Sequence, residues 1–373
     1  MTDLRASLER RLGGGAVAGA DARPIVSPSD EAQLSETIRL AAENGWRILP
    51  IGFGSKLDWS ASSRDVDFEL STRRLARVVA YEPGDGTITA LAGTTMDELA
   101  RTAARGKNHL TPRVPAPLRA TLGGVLAAGQ SGLDRLRYGP ARHHVLGVRA
   151  ALADGSVATS GGKLVKNVTG YDLHRLYCGS AGSLCVIVEA TLRLFAGFER
   201  ERLLTIPAAD RGSALRVASS VEALRIDPLC IRCENVLAPE AAWRVHVLLA
   251  GREKVVGAAV RALLAAHANA LEGAESIERL RDVELAAGRW PDVRVADRPS
   301  RIADRLARFA PDAGMIVDPA IATAWILSDR PVEAGRRDVL PVRADLAAEL
   351  ALRLKRSFDP KNVFAGGTSR GRR

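Results

Sequence analysis

Aromatic side chains are scarce in this chain: Phe, Trp and Tyr make up 4% of 373 residues, although the apolar fraction reaches 46%. Ala, Val and Leu must therefore fill most of the core. A basic stripe interleaved with stacking aromatics, the mark of a nucleic-acid groove, is not there. No helix-turn-helix, zinc-finger or RNP pattern stands in for it, so nucleic acid is not an expected partner. Cysteine is also rare. Four in so long a chain make no disulfide framework. The lone CxxC of Cys230 and Cys233, in DPLCIRCENV, has no second Cys or His pair at metal-binding spacing. Two thiols buried in a strand are the expectation, with no metal site. No apolar run is long enough to span a bilayer, and the opening MTDLRASLERRLGG lacks a signal-peptide apolar region. These absences predict a cytoplasmic chain with no transmembrane segment, held at the inner face of the membrane only if a partner docks it there.

What is present suits about two soluble domains. Charged residues make up 26% and the formal charge is +10, spread evenly through Arg. An even spread describes a solvated surface that is also able to dock an acidic partner. Residues 1–24 read as a leading helix and linker. Next comes a helix capped by Ser27 or Ser29, with Leu34, Ile38 and Ala41 at helical spacing and Gly45 as its stop. Strand patterns follow at Arg47–Ile51, Asp67–Leu70, Leu75–Tyr81 and Thr87–Leu91, then a helix capped by Thr94 or Thr95. Residues 25–106 thus form one α+β lobe and 107–197 a second. Residues 198–334 alternate strands and helices in an order that predicts an antiparallel sheet with helices on one face. Residues 335–373 hold a last helix and a basic tail.

Three separated segments carry glycines in patterns that expose main chain. The first is Pro50-Ile-Gly-Phe-Gly-Ser-Lys56, where a strand ends in a loop open enough for N–H groups to crowd round a phosphate. It is neither the Walker A loop nor the Rossmann fingerprint, and a ligand-free tight turn reads equally well. The second is Arg119–Gly132, where Gly123 and Gly124 open a small-residue run. A helix start there would add its partial positive charge to a pyrophosphate site; close helix–sheet packing is the alternative. The third is Gly161–Asp172, continuing to Gly179–Glu189, a polar glycine loop beside an apolar strand.

ITALAGTTMDEL, ATLGGVLAAGQSG, RYGPARHHVLGVRAALADGS and KNVTGYDLHRLYCGSAGSLCVIVEATLRL occur in that order. Together they resemble the flavin domain of the p-cresol methylhydroxylase/vanillyl-alcohol oxidase family. The run KNVTGYDL, with LKRSFDPKNVF near the C-terminus, is similar to the FAD-binding subunit of bacterial glycolate oxidase. The resemblance implies an α+β fold: a two-lobed FAD-binding domain of the p-cresol methylhydroxylase type at 25–197 and a small ferredoxin-like cap. It also implies noncovalent FAD, since the glycine loop has no His or Cys for attachment. Gly52, Gly54, Ser55 and Lys56 would line the pyrophosphate loop. Ala120, Thr121, Gly123, Gly124 and Gly129 would pack along the phosphates and flavin. Gly170, Tyr171 and Asp172 would face the cofactor, and Gly182, Ser183 and Ile187 would touch it from the last strand. Phe53 stands where the family often has a third glycine, narrowing that loop.

The implied activity is oxidation of a small 2-hydroxy acid such as glycolate to the 2-oxo acid. The implied partners are a larger FAD-binding subunit and an iron–sulfur subunit. A hydride-accepting flavin also needs a base and a cation for the substrate. His-rich metal motifs of self-sufficient relatives have no counterpart here, where His246 and His267 lie far apart. His143 and His144 fall in a strand pattern that would send them to opposite faces. No catalytic residue can be named, and an incomplete substrate site is expected. A stand-alone alcohol or hydroxy-acid oxidoreductase and a scaffold that lost FAD are the alternatives.

Overall fold

The computed structural model describes residues 4–20, 23–56, 66–162, 171–237, 242–285, 291, 293–327 and 344–365. Strands β1 (Val17–Ala20), β2 (Arg23–Val26), β3 (Ile48–Ile51) and β4 (Phe68–Ser71) form a first sheet in the order β1-β2-β4-β3, with β4 parallel to both β2 and β3. The helix Glu31–Asn44 crosses between β2 and β3 and buries Leu34, Ile38 and Ala41. Asp30, rather than Ser27 or Ser29, caps it by accepting the Gln33 N–H at 2.9 Å. Ser29 is one position too early and engages the Gln33 side chain instead.

β5 (Val78–Glu82) and β6 (Thr87–Leu91) open a second sheet, which the two-residue β7 (Asn108–His109) does not join. β8 (Val145–Ala151), β9 (Val157–Gly161) and β10 (Val186–Arg193) complete it in the order β5-β6-β10-β8-β9, every pair antiparallel. β7 instead pairs with β11 (Phe195–Ala196). Helix Met96–Arg105, capped by Thr95, and helix Leu122–Ala128 supply Leu99, Ala103, Val125 and Leu126 to the core over Ile88, Ala90 and Ile187. The chain therefore changes sheets between residues 71 and 78, not at 106. β6 completes its pairing with β10, about a hundred residues downstream, a contact that local patterning cannot register.

β12 (Arg200–Ala208), β13 (Cys230–Glu234), β14 (Trp243–Gly251), β15 (Leu271–Glu272), β16 (Val293–Ala296), β17 (Gly314–Asp318) and β18 (Thr323–Leu327) form the cap sheet. Its order is β15-β12-β14-β13-β17-β18-β16, with every pair antiparallel. Helices Arg211–Ala223, Glu253–Ala266 and Pro299–Leu306 cover one face through Val221, Leu263 and Leu306, packed on Val245, Val247 and Val317. The other face turns to the flavin side, where Leu203, Cys230 and Leu248 meet Leu133. Cys233 packs with the helix-covered face and Cys230 with the opposite one. Strand alternation thus separates the two thiols of the CxxC, and burial pushes both up, Cys230 to about 12.

The helix Ala344–Phe358 leads the chain back to the first sheet. Ile48 donates to Val363 O at 2.6 Å and Ala365 donates to Ile48 O at 2.6 Å, so the C-terminal segment runs beside β3.

Candidate functional site

β3 ends at Ile51 and releases the loop Gly52–Lys56 against the start of helix Leu122–Ala128. A Cβ on Gly52 would lie 2.2 Å from Thr121 Oγ1, so only glycine allows this approach. Ser55 Oγ donates to Arg119 O at 2.8 Å, and Lys56 Nζ reaches Ser55 Oγ at 3.2 Å. Two of the three glycine segments are thereby tied together, although about 64 residues separate them. Among the described residues, the main-chain N–H groups of Gly52, Phe53 and Gly54 donate to no protein acceptor. Three consecutive amides without an internal partner form a concave donor surface of the kind that holds an anion.

The loop opens on a cavity that is partly open to solvent. Gly52, Gly54, Ser55 and Lys56 line one side, Thr121, Gly123 and Gly124 the next, and Gly182 and Ile187 the third. Leu49, Ile51, Ala127 and Val186 give it apolar walls that the glycine patterns did not mark. Leu49 and Ile51 come from β3, Val186 from the start of β10 and Ala127 from helix Leu122–Ala128. Phe53 lines the cavity too, and the Arg73 guanidinium lies 4.4 Å from its ring centroid.

The remaining sequence candidates sit elsewhere. Ala120 is buried and its carbonyl accepts the Met96 N–H at 2.8 Å, outside the cavity lining. Gly129 is the left-handed C-cap of helix Leu122–Ala128 (φ 61°) and borders a different, smaller cavity. Ser183 Oγ turns back to Ser180 O at 2.6 Å. Tyr171 is 91% exposed, and Asp172 pairs with Arg175 at 3.4 Å on the surface. Gly170 lies outside the described residues. The helix start differs from the expected anion site. Leu122 and Gly123 donate to Thr94 O and Ala92 O at 2.8 Å each, and Gly124 donates to Thr121 Oγ1 at 3.2 Å. Its first amides are spent on the protein, and close packing is their use. The His pair also differs: Ala141–His143 is a 3-10 turn and β8 begins only at Val145. His246 is fully buried between Thr205 and Glu234, at 3.0 and 2.9 Å, a structural pairing in the cap sheet.

Electrostatics favour an anion here. Burial pulls Lys56 down to about 8, against the opposing pull of Glu284. An ammonium held in so dry a place gains most from a negative ligand. The donor set therefore fits a dinucleotide: three amides and one cation for the diphosphate, and apolar walls for a fused ring.

Comparison with known proteins agrees with this geometry. Residues 22–161 match a family model described as an FAD binding domain. The p-cresol methylhydroxylase structure superposes with a TM-score of 0.74 at 13% identity, covering 96% of this chain and 94% of that one. The chain has the p-cresol methylhydroxylase fold and binds FAD. A structure of alkyldihydroxyacetonephosphate synthase is also similar to this flavin fold, with a TM-score of 0.69 at 16% identity over 93% of this chain and 76% of that one. D-lactate dehydrogenase of Archaeoglobus fulgidus is 31% identical over 221 residues, 59% of this chain and 49% of that protein. Glycolate oxidase subunit GlcD of Bacillus subtilis is 28% identical over 205 residues, 55% of this chain and 43% of that subunit. D-2-hydroxyglutarate dehydrogenase of Xanthomonas citri is 31% identical over 171 residues, 46% of this chain and 36% of that enzyme. The chain spans about half the length, or less, of these curated relatives.

Proposed function

We propose that this chain holds FAD noncovalently in the cavity beside the Gly52–Lys56 loop and serves in oxidising a small 2-hydroxy acid, such as glycolate or D-lactate, to its 2-oxo acid. In this reading it is the FAD-binding subunit of a glycolate oxidase-like complex, working with a larger FAD-binding subunit and an iron–sulfur subunit. The observation that carries the reading is the convergence of three glycine segments on one cavity whose Gly52–Gly54 amides have no acceptor among the described residues. Three named relatives, of D-lactate, glycolate and D-2-hydroxyglutarate enzymes, share hydroxy-acid chemistry and support the substrate class.

FAD, when bound, supplies the two-electron acceptor. The protein's part is to bind and orient it. Gly52, Phe53 and Gly54 present amides to the diphosphate, Lys56 balances its charge, and Ile51, Ala127 and Ile187 exclude water from the ring. No His or Cys stands in the described glycine loop Gly52–Lys56 to form a covalent link.

The test is an absorbance scan of purified chain, followed by anaerobic addition of glycolate and of D-lactate, with and without co-purified subunits. Bound flavin that bleaches only with the partners present supports the complex. Bleaching by the chain alone assigns a free-standing oxidoreductase instead. A colourless protein that cannot be reconstituted with FAD would falsify the reading.

A further inference from the structure

Phe53 departs from the glycine pattern of its loop, and holding a cofactor does not by itself require a side chain there. The backbone permits one. Gly54 has φ 75°, a value that favours glycine, whereas Phe53 stays out of the left-handed region. The half-buried ring lines the cavity without sealing it, since Gly52, Gly54, Ser55 and Lys56 of the same loop also reach the lining. Phe53 is also the middle residue of the three whose amides have no acceptor among the described residues. Whatever its ring holds is therefore held beside the anion-binding amides.

The ring holds a cation. Arg73 Cζ lies 4.4 Å from its centroid, inside the cation–π range. Arg73 follows Thr72, which lines the same cavity, and its main-chain N–H donates to Ser71 Oγ at 3.4 Å. The next residue goes elsewhere: Arg74 donates to Gly15 O and Ser27 O at 3.3 and 3.2 Å. Among the described residues the Arg73 guanidinium has no carboxylate partner and no hydrogen-bond acceptor. A guanidinium seated on a ring uses its flat face and keeps its in-plane N–H groups for a second partner. A diphosphate carries a negative charge on each phosphate, while the loop itself supplies one ammonium, Lys56, whose charge burial disfavours. The second phosphate calls for another cation, and the structure holds one against the loop.

We propose that Arg73 is a second cation for the FAD diphosphate, and that Phe53 is the platform that keeps its guanidinium at the cavity mouth. This rests on the placement of FAD beside the Gly52–Lys56 loop. The guanidinium brings forked N–H donors to phosphate oxygens, and the ring fixes its position without taking any of those donors. A glycine at position 53 would leave the amides in place and remove the platform. Arg73 is exposed, so its attraction to the diphosphate weakens as salt rises.

The experiment strips flavin from the full chain and titrates it by calorimetry with FAD and with ADP, which shares the diphosphate but not the flavin, at low and high salt. R73A should weaken FAD at least about tenfold, weaken ADP in the same proportion, and make the salt dependence of FAD binding shallower. R73K, which keeps the charge without the fork, should recover part of the loss. F53L, which keeps an apolar side chain without the ring, should weaken both ligands less than R73A does. An unchanged melting temperature of the flavin-free variants reports that they have folded. Wild-type FAD affinity in R73A overturns the proposal. So does a loss with an unchanged salt dependence, which makes Arg73 a support of the loop and not a counter-ion. Wild-type affinity in F53L removes the platform role of Phe53. G52A separates this proposal from the placement it rests on. FAD kept in G52A fails the placement and Arg73 with it, whereas FAD lost in G52A but kept in R73A fails Arg73 alone.

Discussion

At the residue scale, Gly52 and Lys56 show opposite compromises. Gly52 has no alternative, because a Cβ would meet Thr121 Oγ1 at 2.2 Å. Gly52→Ala is expected to cost about 1–3 kcal/mol by overpacking and to release most of the FAD on gel filtration. A variant that retains wild-type flavin would show that the loop has room to shift. Lys56 is a cost to the empty protein. Its folded pKa, near 8, lies below the unfolded 10.5, so between those values the unfolded chain holds more protons. Stability of the flavin-free protein should therefore rise with pH from about 8 to 10.5. K56M should remove that rise, raise the apo melting temperature at pH 7 and weaken FAD binding. If K56M shows the same pH rise as the wild type, burial of Lys56 is not its source.

At the element scale, the glycine loop depends on a clasp far away in sequence. Asp359 accepts the N–H groups of Val363 and Phe364 at 2.8 Å each, and Lys355 Nζ pairs with it while donating to Ser183 O at 3.0 Å and Phe364 O at 2.6 Å. This clasp sets the C-terminal segment beside β3, the strand that delivers Gly52. Asp359→Asn trades a charged double acceptor for a neutral amide, at roughly 1.5–3 kcal/mol. Urea unfolding should show that loss, together with a lower flavin content. The glycine spacing at 52, 54, 123 and 124 was readable in advance because the chemistry is local. The clasp was not, since nothing in DPKNVF says which strand edge receives it.

At the scale of the whole molecule, the cap and flavin domain share contacts. Leu133 packs among Leu203, Leu229 and Leu248 of the cap, Arg137 donates to Ala250 O at 2.8 Å, and Ala116 N–H donates to Asp282 at 2.9 Å. Arg113 pairs with Glu201 across the same boundary. Leu133→Ala should destabilise by about 2–5 kcal/mol. Flavin release and loss of cap secondary structure should shift together in denaturant. Separate midpoints would mean that the two domains unfold independently. Among the described residues no helix is long and apolar enough to cross a membrane.

The sequence alone determined the elements and their chemistry: strand alternation, helix periodicity with its apolar stripe, and glycines where main chain must be exposed. Each follows from interactions within a few residues. Only the tertiary structure decided which partners those elements found. β6 joined β10 as well as its sequence neighbour β5, the amides of helix Leu122–Ala128 went to the neighbouring strand end, and Arg294 came to face Gln130 across two domains. Those pairings rest on burial and charge summed over distant segments, a quantity that no local window contains.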